Sequence, residues 1–324
     1  MNKVVDIVSP CYNEEQTIPL FFAAVDQITK DIPDFTFRFI LINDGSTDKT
    51  LEVMNSIYER RNDFTIVDLS RNSGQNPALT AGLSVAKGDY VIMMDIDLQD
   101  PVCLIKDICE KFREGYEVVS PHRVSRQTDS AFKRESAGFF YKLTNKLEKK
   151  NVIPENVNCF RGLSRKALDT ILVLPEKDRL LVAEIPLIGY RSCQIDFVRK
   201  KRVAGQSKYN LDKMVNYAFD IISAATAKPL YLPIKIGAIG AAVSLPLALI
   251  FLILFFLSDT GVISFSAVTS MMILTIILFI LFGVFLIIFF VGFLGVYLHN
   301  ILINTRGRPS FFIDSIRSPE DKNR

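Results

Sequence analysis

The chain has 324 residues, a formal net charge of +3 at pH 7 and a hydrophobic fraction of 49%. This length suits about two domains, and so weak a net charge gives no reason to expect a nucleic-acid partner. The five cysteines are odd in number and lack C-x-x-C spacing, which argues against a zinc site or a disulfide framework and indicates reduced cytosolic thiols.

The first part of the chain alternates short apolar strands with amphipathic helices. Strands are predicted over "VVDIVSP", "FRFILIND", "FTIVDLS" and "DYVIMMD". The helices between them are predicted over "EEQTIPLFFAAVDQI", "KTLEVMNSIYERR" and "NPALTAGLSVAKG". Repeated βα units of this length predict a mostly parallel sheet covered by helices, which binds its ligands at the carboxyl ends of the strands.

Each of the four predicted strands is followed by a polar cluster: "SPCYNEE", "NDGSTD", "SRNSGQN" and "DIDLQDP". Any one of them could be a solvated turn or a helix cap. Because neighbouring parallel strands end at the same edge of a sheet, the four together predict one binding crevice.

The last cluster places Asp95 and Asp97 two residues apart. In an extended segment they would face the same side and repel each other unless a cation or hydrogen-bond donors lay between them. Mg²⁺ and Mn²⁺ usually take one or two protein carboxylates and further oxygens from a phosphorylated substrate. The pair is therefore a candidate metal site, provided that the crevice also binds a phosphate.

Two uncharged runs follow the predicted domain. Residues 236 to 257 contain no charge, and residues 260 to 305 contain no Asp, Glu, Lys or Arg. Both runs are long enough to cross a bilayer as a helix. The second run could hold two short spans, but we predict one long tilted helix over about residues 271 to 298. Lys228 and Lys235 precede the first run, and Arg306, Arg308 and Arg317 follow the second. The positive-inside rule therefore places the segment before the first run and the segment after the second run in the cytoplasm.

The predicted organisation is a cytosolic domain over residues 1 to 208, juxtamembrane amphipathic helices over 209 to 235, a two-helix transmembrane hairpin over 236 to 300 and a cytosolic tail over 301 to 324. The N-terminus has no apolar segment long enough for a signal peptide. Multi-pass insertion with both termini in the cytoplasm is expected.

The colinear motifs "PxYNEE", "NDGSxDxT", "RNxGxxxAL" and "DxDLQDP" resemble those of the GT-A-type glycosyltransferases of family 2. The later segments "FKRESAGFFYKLTNKL", "RVAGQSKYN" and "GVYLHNILINTRGRPSFFI" resemble the bacterial polyprenyl-phosphate glycosyltransferases, of the bactoprenol glucosyltransferase and dolichol-phosphate mannose synthase kind. The resemblance covers nearly the whole chain.

The resemblance implies a GT-A, Rossmann-like α/β domain and an inverting, metal-dependent enzyme of the bacterial inner membrane. Such an enzyme moves one sugar from a nucleotide sugar, here UDP-glucose or another UDP-hexose, to undecaprenyl phosphate at the cytosolic face. Mg²⁺ or Mn²⁺ is the implied cofactor. A homo-oligomer, a flippase and a downstream glycosyltransferase are the implied partners.

The resemblance also implies roles for individual residues. The nucleotide-sugar site would contain Pro10, Tyr12, Glu14, Asp44, Gln75 and Asp95. The metal would be held by Asp95, Asp97 and Gln99. The catalytic set would be Asp97 with Arg123, Arg134 and Ser136, of which the last three would bind the lipid phosphate. The acceptor loop would contribute Arg202, Ser207, Lys208 and Tyr209.

The chain departs from close relatives at three places. Asn158 and Cys159 replace a Gly-Asp pair, Gln75 replaces a common Lys, and "AE" at residues 183 and 184 replaces a usual Lys-Gly pair. These changes leave the donor sugar open, and they motivate an alternative in which the chain is a catalytically impaired, nucleotide-binding membrane scaffold. A processive polysaccharide synthase shares the GT-A motifs, but its Q-x-x-R-W motif requires a Trp, and this chain contains none.

Overall fold

A computed structural model of the chain describes residues 2–125, 159–176, 179–198 and 265–323, together with separate positions between 231 and 253. The chain divides into two compact units. One consists of Met1–Ala225 with Arg306–Arg324, and the other is Thr226–Thr305. Both ends of the second unit are therefore continuous with the first.

The first unit is built on a mixed sheet. Within the described residues its strands are β1 (Lys3–Cys11), β2 (Phe35–Asn43), β3 (Phe64–Leu69), β4 (Tyr90–Met93), β5 (Val118–Ser125), β6 (Arg161–Ser164), β7 (Ser192–Val198) and β8 (Ile313–Arg317). Their order is β7-β5-β6-β4-β1-β2-β3-β8. Strands β4, β1, β2 and β3 run parallel, while β6 and β8 are antiparallel to β4 and β3. The predicted α/β fold with a mostly parallel sheet is confirmed.

The helices connect and cover these strands. In chain order they are α1 (Thr17–Thr29), α2 (Thr50–Tyr58), α3 (Gln75–Val85), α4 (Leu104–Arg113), α5 (Arg165–Val173), α6 (Leu181–Leu187) and α7 (Phe265–Arg306), followed by a short 3₁₀ helix (Pro319–Asn323). The first three agree with the helices predicted from the apolar spacing.

The sheet separates two hydrophobic cores because successive side chains of a strand point to opposite faces. In β2, Phe37, Phe39 and Leu41 pack with α1, α2 and α4. The alternate residues Ile40 and Ile42 pack on the other face with α3, α5 and α6. Burial on both faces explains why these parallel strands read as nearly continuous apolar runs.

The second unit contains α7, which is apolar over most of its length. Its segment Thr275–Arg306 has 32 residues, and an 18-residue window within it has a mean hydropathy of 3.2. Among the described residues, this is the one helix that is both long enough and apolar enough to cross a membrane. The predicted second span, residues 271 to 298, lies inside α7. The predicted first span, residues 236 to 257, and the juxtamembrane helices, residues 209 to 235, lie largely outside the described residues.

The C-terminal tail continues into the sheet of the first unit. Helix α7 ends at Arg306, and Gly307 follows with φ +64°, the left-handed conformation that commonly terminates a helix. Strand β8 then pairs antiparallel with β3, with Val67 opposite Ile316. The tail was predicted only as a cytosolic extension, so this edge strand is an element that the sequence interpretation missed.

Candidate active site

The four predicted polar clusters lie at one edge of the sheet. Strands β4, β1, β2 and β3 are adjacent and parallel, so their carboxyl ends lie side by side. Hydrogen bonds connect each cluster to another. The expected crevice at the strand ends is therefore built as one connected network of loops.

The loops after β1 and β2 are joined through Asn13. Its backbone N–H donates to Ser46 Oγ over 3.0 Å, and its side-chain Oδ1 accepts from the Thr47 N–H over 2.8 Å. Asn13 has φ +55°, a left-handed conformation that Asn tolerates better than most residues. The next residue, Glu14, donates its N–H to Thr50 Oγ1 over 2.8 Å at the start of α2.

The loops after β2 and β3 are joined through Asp44. Its buried carboxylate accepts the Ser73 N–H over 2.6 Å and the Gly74 N–H over 3.0 Å. Burial raises the pKa of the Asp44 carboxyl, and the two N–H donors oppose that rise. Next to it, Gly45 has φ +61°, and a side chain there would collide with the backbone of Arg71 and Asn72. A glycine is required at this close approach.

The loops after β3 and β4 are joined through Gln75, the first residue of α3. Its Nε2 donates to Asp95 Oδ1 over 2.8 Å. This amide is neutral, so it orients the Asp95 carboxylate without cancelling its charge. Gln75 thus has a defined contact inside the crevice.

The acidic cluster forms a turn and not the extended segment that the sequence interpretation assumed. Strand β4 ends at Met93, and Leu98 has φ +55°, which is unusual for a bulky residue. The turn allows Asp97 Oδ1 to accept the Gln99 N–H over 3.1 Å. Asp97 and Asp100 are 9% and 2% exposed. The turn, and not the alternation of a strand, therefore sets the directions of the Asp95 and Asp97 carboxylates.

The remaining predicted residues divide into two groups. Pro10, Tyr12 and Glu14 lie at the end of β1 or in the loop that follows it, on the same edge as the acids. Arg123 lies near the end of β5 and is half-buried. The other predicted residues lie outside the described residues: Arg134, Ser136, Arg202, Ser207, Lys208 and Tyr209.

Arg161 was not among the predicted site residues. It begins β6, lies opposite Met93 of β4 and is 1% exposed. Burial raises the pKa of the nearby Cys159 thiol to about 12; Asp95 adds to the rise, Arg161 opposes it, and Asp100 raises it further. A guanidinium, a neutral thiol and two acids therefore share one region behind the acidic turn. The arginine in the otherwise apolar "CFRGL" was the sequence signal for it.

Glu184, one of the departures from relatives, has a structural partner. Its carboxylate pairs with Arg179 over 3.3 Å and accepts the Leu180 N–H over 2.7 Å at the start of α6. Both charged side chains are buried, and burial raises the pKa of the Glu184 carboxyl. Arg179 also donates to the carbonyl groups of Leu172 and Leu174 at the end of α5. The ion pair thus joins two helices.

Comparison with known proteins places the chain in a family. The model of glycosyl transferase family 2 matches residues 6–172. The chain is 34% identical over 315 residues to the prophage bactoprenol glucosyl transferase homolog of Escherichia coli K12, covering 97% of this chain and 99% of that protein. It is 36% identical over 311 residues to the bactoprenol glucosyl transferase of Shigella phage SfII, and the match covers 95% of this chain and 97% of that protein. The chain belongs to glycosyl transferase family 2.

The resemblance of this glycosyltransferase to the polyprenyl-phosphate branch of the family is thereby confirmed. Among solved structures, glucosyl-3-phosphoglycerate synthase of Mycobacterium tuberculosis, in complex with Mn²⁺, UDP and phosphoglyceric acid, is 18% identical. The superposition covers 70% of this chain and 78% of the synthase chain, with a TM-score of 0.48.

The acidic turn of the glycosyltransferase has the donor chemistry that a hard divalent ion requires. Asp95, Asp97 and the side-chain amide of Gln99 offer oxygen ligands. Among the described residues no group of three or more His, Cys, Asp or Glu side chains could hold a metal ion. Two carboxylates and one amide oxygen suit an ion such as Mg²⁺ or Mn²⁺, which takes one or two protein carboxylates and fills its remaining positions with water and phosphate oxygens.

Proposed function

We propose that this glycosyltransferase moves a single sugar from a nucleotide sugar, UDP-glucose or another UDP-hexose, to a polyprenyl phosphate such as undecaprenyl phosphate. The observation that supports this most is the connected crevice at the strand ends, seen together with near full-length similarity to proteins named bactoprenol glucosyl transferases. Inversion at the anomeric carbon follows if transfer is a single in-line displacement.

The donor would bind along the edge formed by β4, β1 and β2. Pro10, Tyr12 and Glu14 would contact the nucleoside, and Asp44 would contact it either directly or through the loop that it holds. Asp95, Asp97 and Gln99 would hold a divalent ion at the diphosphate. Bound there, the ion would neutralise charge on the nucleoside diphosphate leaving group, so that protonation by an acid is not needed.

The acceptor needs placement more than activation. A phosphate monoester has its second pKa near 6, so most of it is already dianionic at neutral pH and its oxygen can attack without a strong base. Arg123 would help to hold this phosphate in line with the sugar and reduce its repulsion from the diphosphate. Arg134, Ser136 and the acceptor loop with Arg202, Ser207, Lys208 and Tyr209 are proposed for the same task.

We further propose that the chain crosses the membrane twice. Both segments of the first unit, Met1–Ala225 and Arg306–Arg324, belong to one compact body, so the chain must leave and return on the same side of any membrane that it crosses. If α7 spans, the number of crossings must be even, and the uncharged run of residues 236 to 257 supplies the second. A cysteine placed at position 259 should react with an impermeant maleimide from the outside of intact cells, whereas one placed at position 310 should not. Equal labelling would contradict the hairpin.

The activity is tested with the purified full-length protein in detergent. It is incubated with undecaprenyl phosphate, Mn²⁺ or Mg²⁺ and a panel of nucleotide sugars, and lipid-linked products are followed by mass spectrometry. The inactive control is Asp97→Asn, and the matched surface control is Asp169→Asn, which removes an exposed i,i+4 ion pair on α5. One sugar transferred by the wild type and the Asp169 variant, and not by the Asp97 variant, is the expected result. Nucleotide binding without product across the panel would favour the scaffold alternative.

A further inference from the structure

The C-terminal tail is anchored on the edge of the sheet by several contacts besides the β3–β8 pairing. Tyr58 donates its hydroxyl to the Ser318 carbonyl over 2.6 Å. Lys322 donates to the carbonyl groups of Tyr58 and Arg61, and its ammonium lies 4.4 Å from the Tyr58 ring centroid. Residues 307 to 312 alone separate this anchored strand from the end of α7.

The start of the tail contacts the β3–α3 loop, residues 70–74. The Ser70 N–H donates to the Phe312 carbonyl over 3.0 Å, and the Arg71 guanidinium lies 5.8 Å from the Phe312 ring centroid. Phe311 and Ile313 pack against the hydrophobic core that includes Leu79 of α3. The tail therefore touches this loop at its first two residues and packs against the same core as the helix that follows the loop.

The other end of the same loop enters the candidate active site. Its Ser73 and Gly74 N–H groups donate to Asp44, and the next residue, Gln75, holds Asp95. Thus six consecutive residues, from Ser70 to Gln75, connect the tail at one end with Asp44 and Asp95 at the other. A loop this short, fixed at both ends, cannot shift at Ser70 without straining its contacts at Gly74.

We propose that residues 311–317 position the β3–α3 loop, so that the tail following the membrane helix completes the nucleotide site. The proposal rests on the proposed function in taking this crevice as the donor site. Phe312 and Phe311 act as positioning residues, because Phe312 contacts the loop and Phe311 packs against the core beneath it. By reciprocity, a bound nucleotide must stabilise the docked tail as much as the docked tail favours nucleotide binding.

The test uses the full-length protein in detergent, a form that stops after Arg308, and a Phe311→Ala/Phe312→Ala double variant. The matched control is Asp314→Ala, an exposed residue of the same strand. Hydrogen exchange is followed in peptides covering residues 70–74, without any nucleotide. We expect exchange at Ser73 and Gly74 to rise at least tenfold in the truncated form, and several-fold in the double variant. Adding a synthetic peptide of residues 309–324 should restore protection in the truncated form.

Nucleotide binding provides the second readout, with UDP as the probe. We expect UDP to bind about tenfold more weakly to the truncated form, the KM for the nucleotide sugar to rise with little change in kcat, and UDP to slow exchange in residues 311–317 of the wild type. Faster exchange at Ser70 alone, with Ser73, Gly74 and UDP affinity unchanged in the double variant, would overturn the proposal and leave the tail as a cover for the sheet edge. If the truncated form does not fold, the double variant decides. If the wild type fails to bind UDP, the proposed donor is wrong, while the exchange data still decide the role of the tail.

Discussion

Gln75 offers a direct test of how the crevice controls its charge. Its amide donates to Asp95 Oδ1 over 2.8 Å and leaves the carboxylate negative. A Gln75→Lys variant would place an ammonium at about the same distance. Two opposite unit charges at that separation in a water-like dielectric interact by about 1.5 kcal/mol, and Gln75 is exposed enough for this value to apply. A cation that binds at Asp95 must first break this ion pair, so Mn²⁺ should bind to the Gln75→Lys variant roughly tenfold more weakly than to the wild type.

The assay measures the concentration of free Mn²⁺ in the presence of UDP, from the electron paramagnetic resonance signal of the unbound ion. Gln75→Met removes the amide without adding a charge, and it should change the Mn²⁺ affinity less than threefold. Without metal, Gln75→Lys should bind UDP more tightly than the wild type, because the new ammonium can meet the diphosphate. The reasoning fails if the Met variant weakens Mn²⁺ binding as much as the Lys variant, or if Lys leaves it unchanged.

Three further changes test the rest of the crevice. Gly45→Ala should lower the free energy of unfolding by more than the roughly 1–2 kcal/mol of a left-handed backbone, and weaken UDP binding, because φ is +61° and the methyl group also meets the backbone of Arg71. Gly189→Ala, with φ +66° and open space around the added methyl group, is the matched control in thermal unfolding. Glu184→Ala should lower the free energy of unfolding by about 3–5 kcal/mol, because Arg179 would stay buried without its carboxylate partner. Glu184→Gln should lower it less. Equal melting temperatures for both variants and the wild type would contradict this expectation. The Cys159 thiol, with a pKa of about 12, should stay protonated from pH 6 to pH 9 and therefore resist iodoacetamide. The exposed Cys103 should be alkylated under the same conditions, and peptide mass spectrometry measures both.

The parallel half of the fold could be predicted because its signals are local. Strands β1 to β4 and helices α1 to α3 have clear periodicity, and each strand ends in a polar cluster within a few residues. Parallel neighbours must align their carboxyl ends, so the position of the crevice followed from the order of the elements alone. The contacts of Asn13, Asp44 and Gln75 could not be predicted in the same way, because they depend on the side-chain geometry of three separate loops.

The acidic turn shows where periodicity misleads. The run "YVIMMDID" predicts an extended segment that places Asp95 and Asp97 on one face, but β4 stops at Met93 and Leu98 adopts a left-handed backbone. Leu pays a steric cost in that conformation, so no propensity rule would place the turn there. A bulky residue held in such a conformation requires support from its surroundings, and strained positions of this kind concentrate at functional sites. The residue types of the site were therefore readable from the sequence, whereas the direction of its carboxylates was not.

Strand β8 was missed for a different reason. The segment "IDSIR" is short and half-exposed, and the strand that it pairs with lies more than 240 residues earlier in the chain, beyond a long apolar helix. A local pattern cannot distinguish such a tail from a solvated extension, since its stability comes from the edge of β3, from Tyr58 and from Arg61. The uncovered edge of a parallel sheet is the better signal, because an exposed strand invites pairing and proteins usually cover it. Here the segment that covers it is the one joined to the apolar helix α7, and the strand that it covers leads into the loop that contacts Asp44 and ends at Gln75. The tail is thus anchored on the lateral strand β3, and the carboxyl end of that strand continues into a loop of the proposed donor site, which is why we expect a change in the tail to be measurable at the nucleotide.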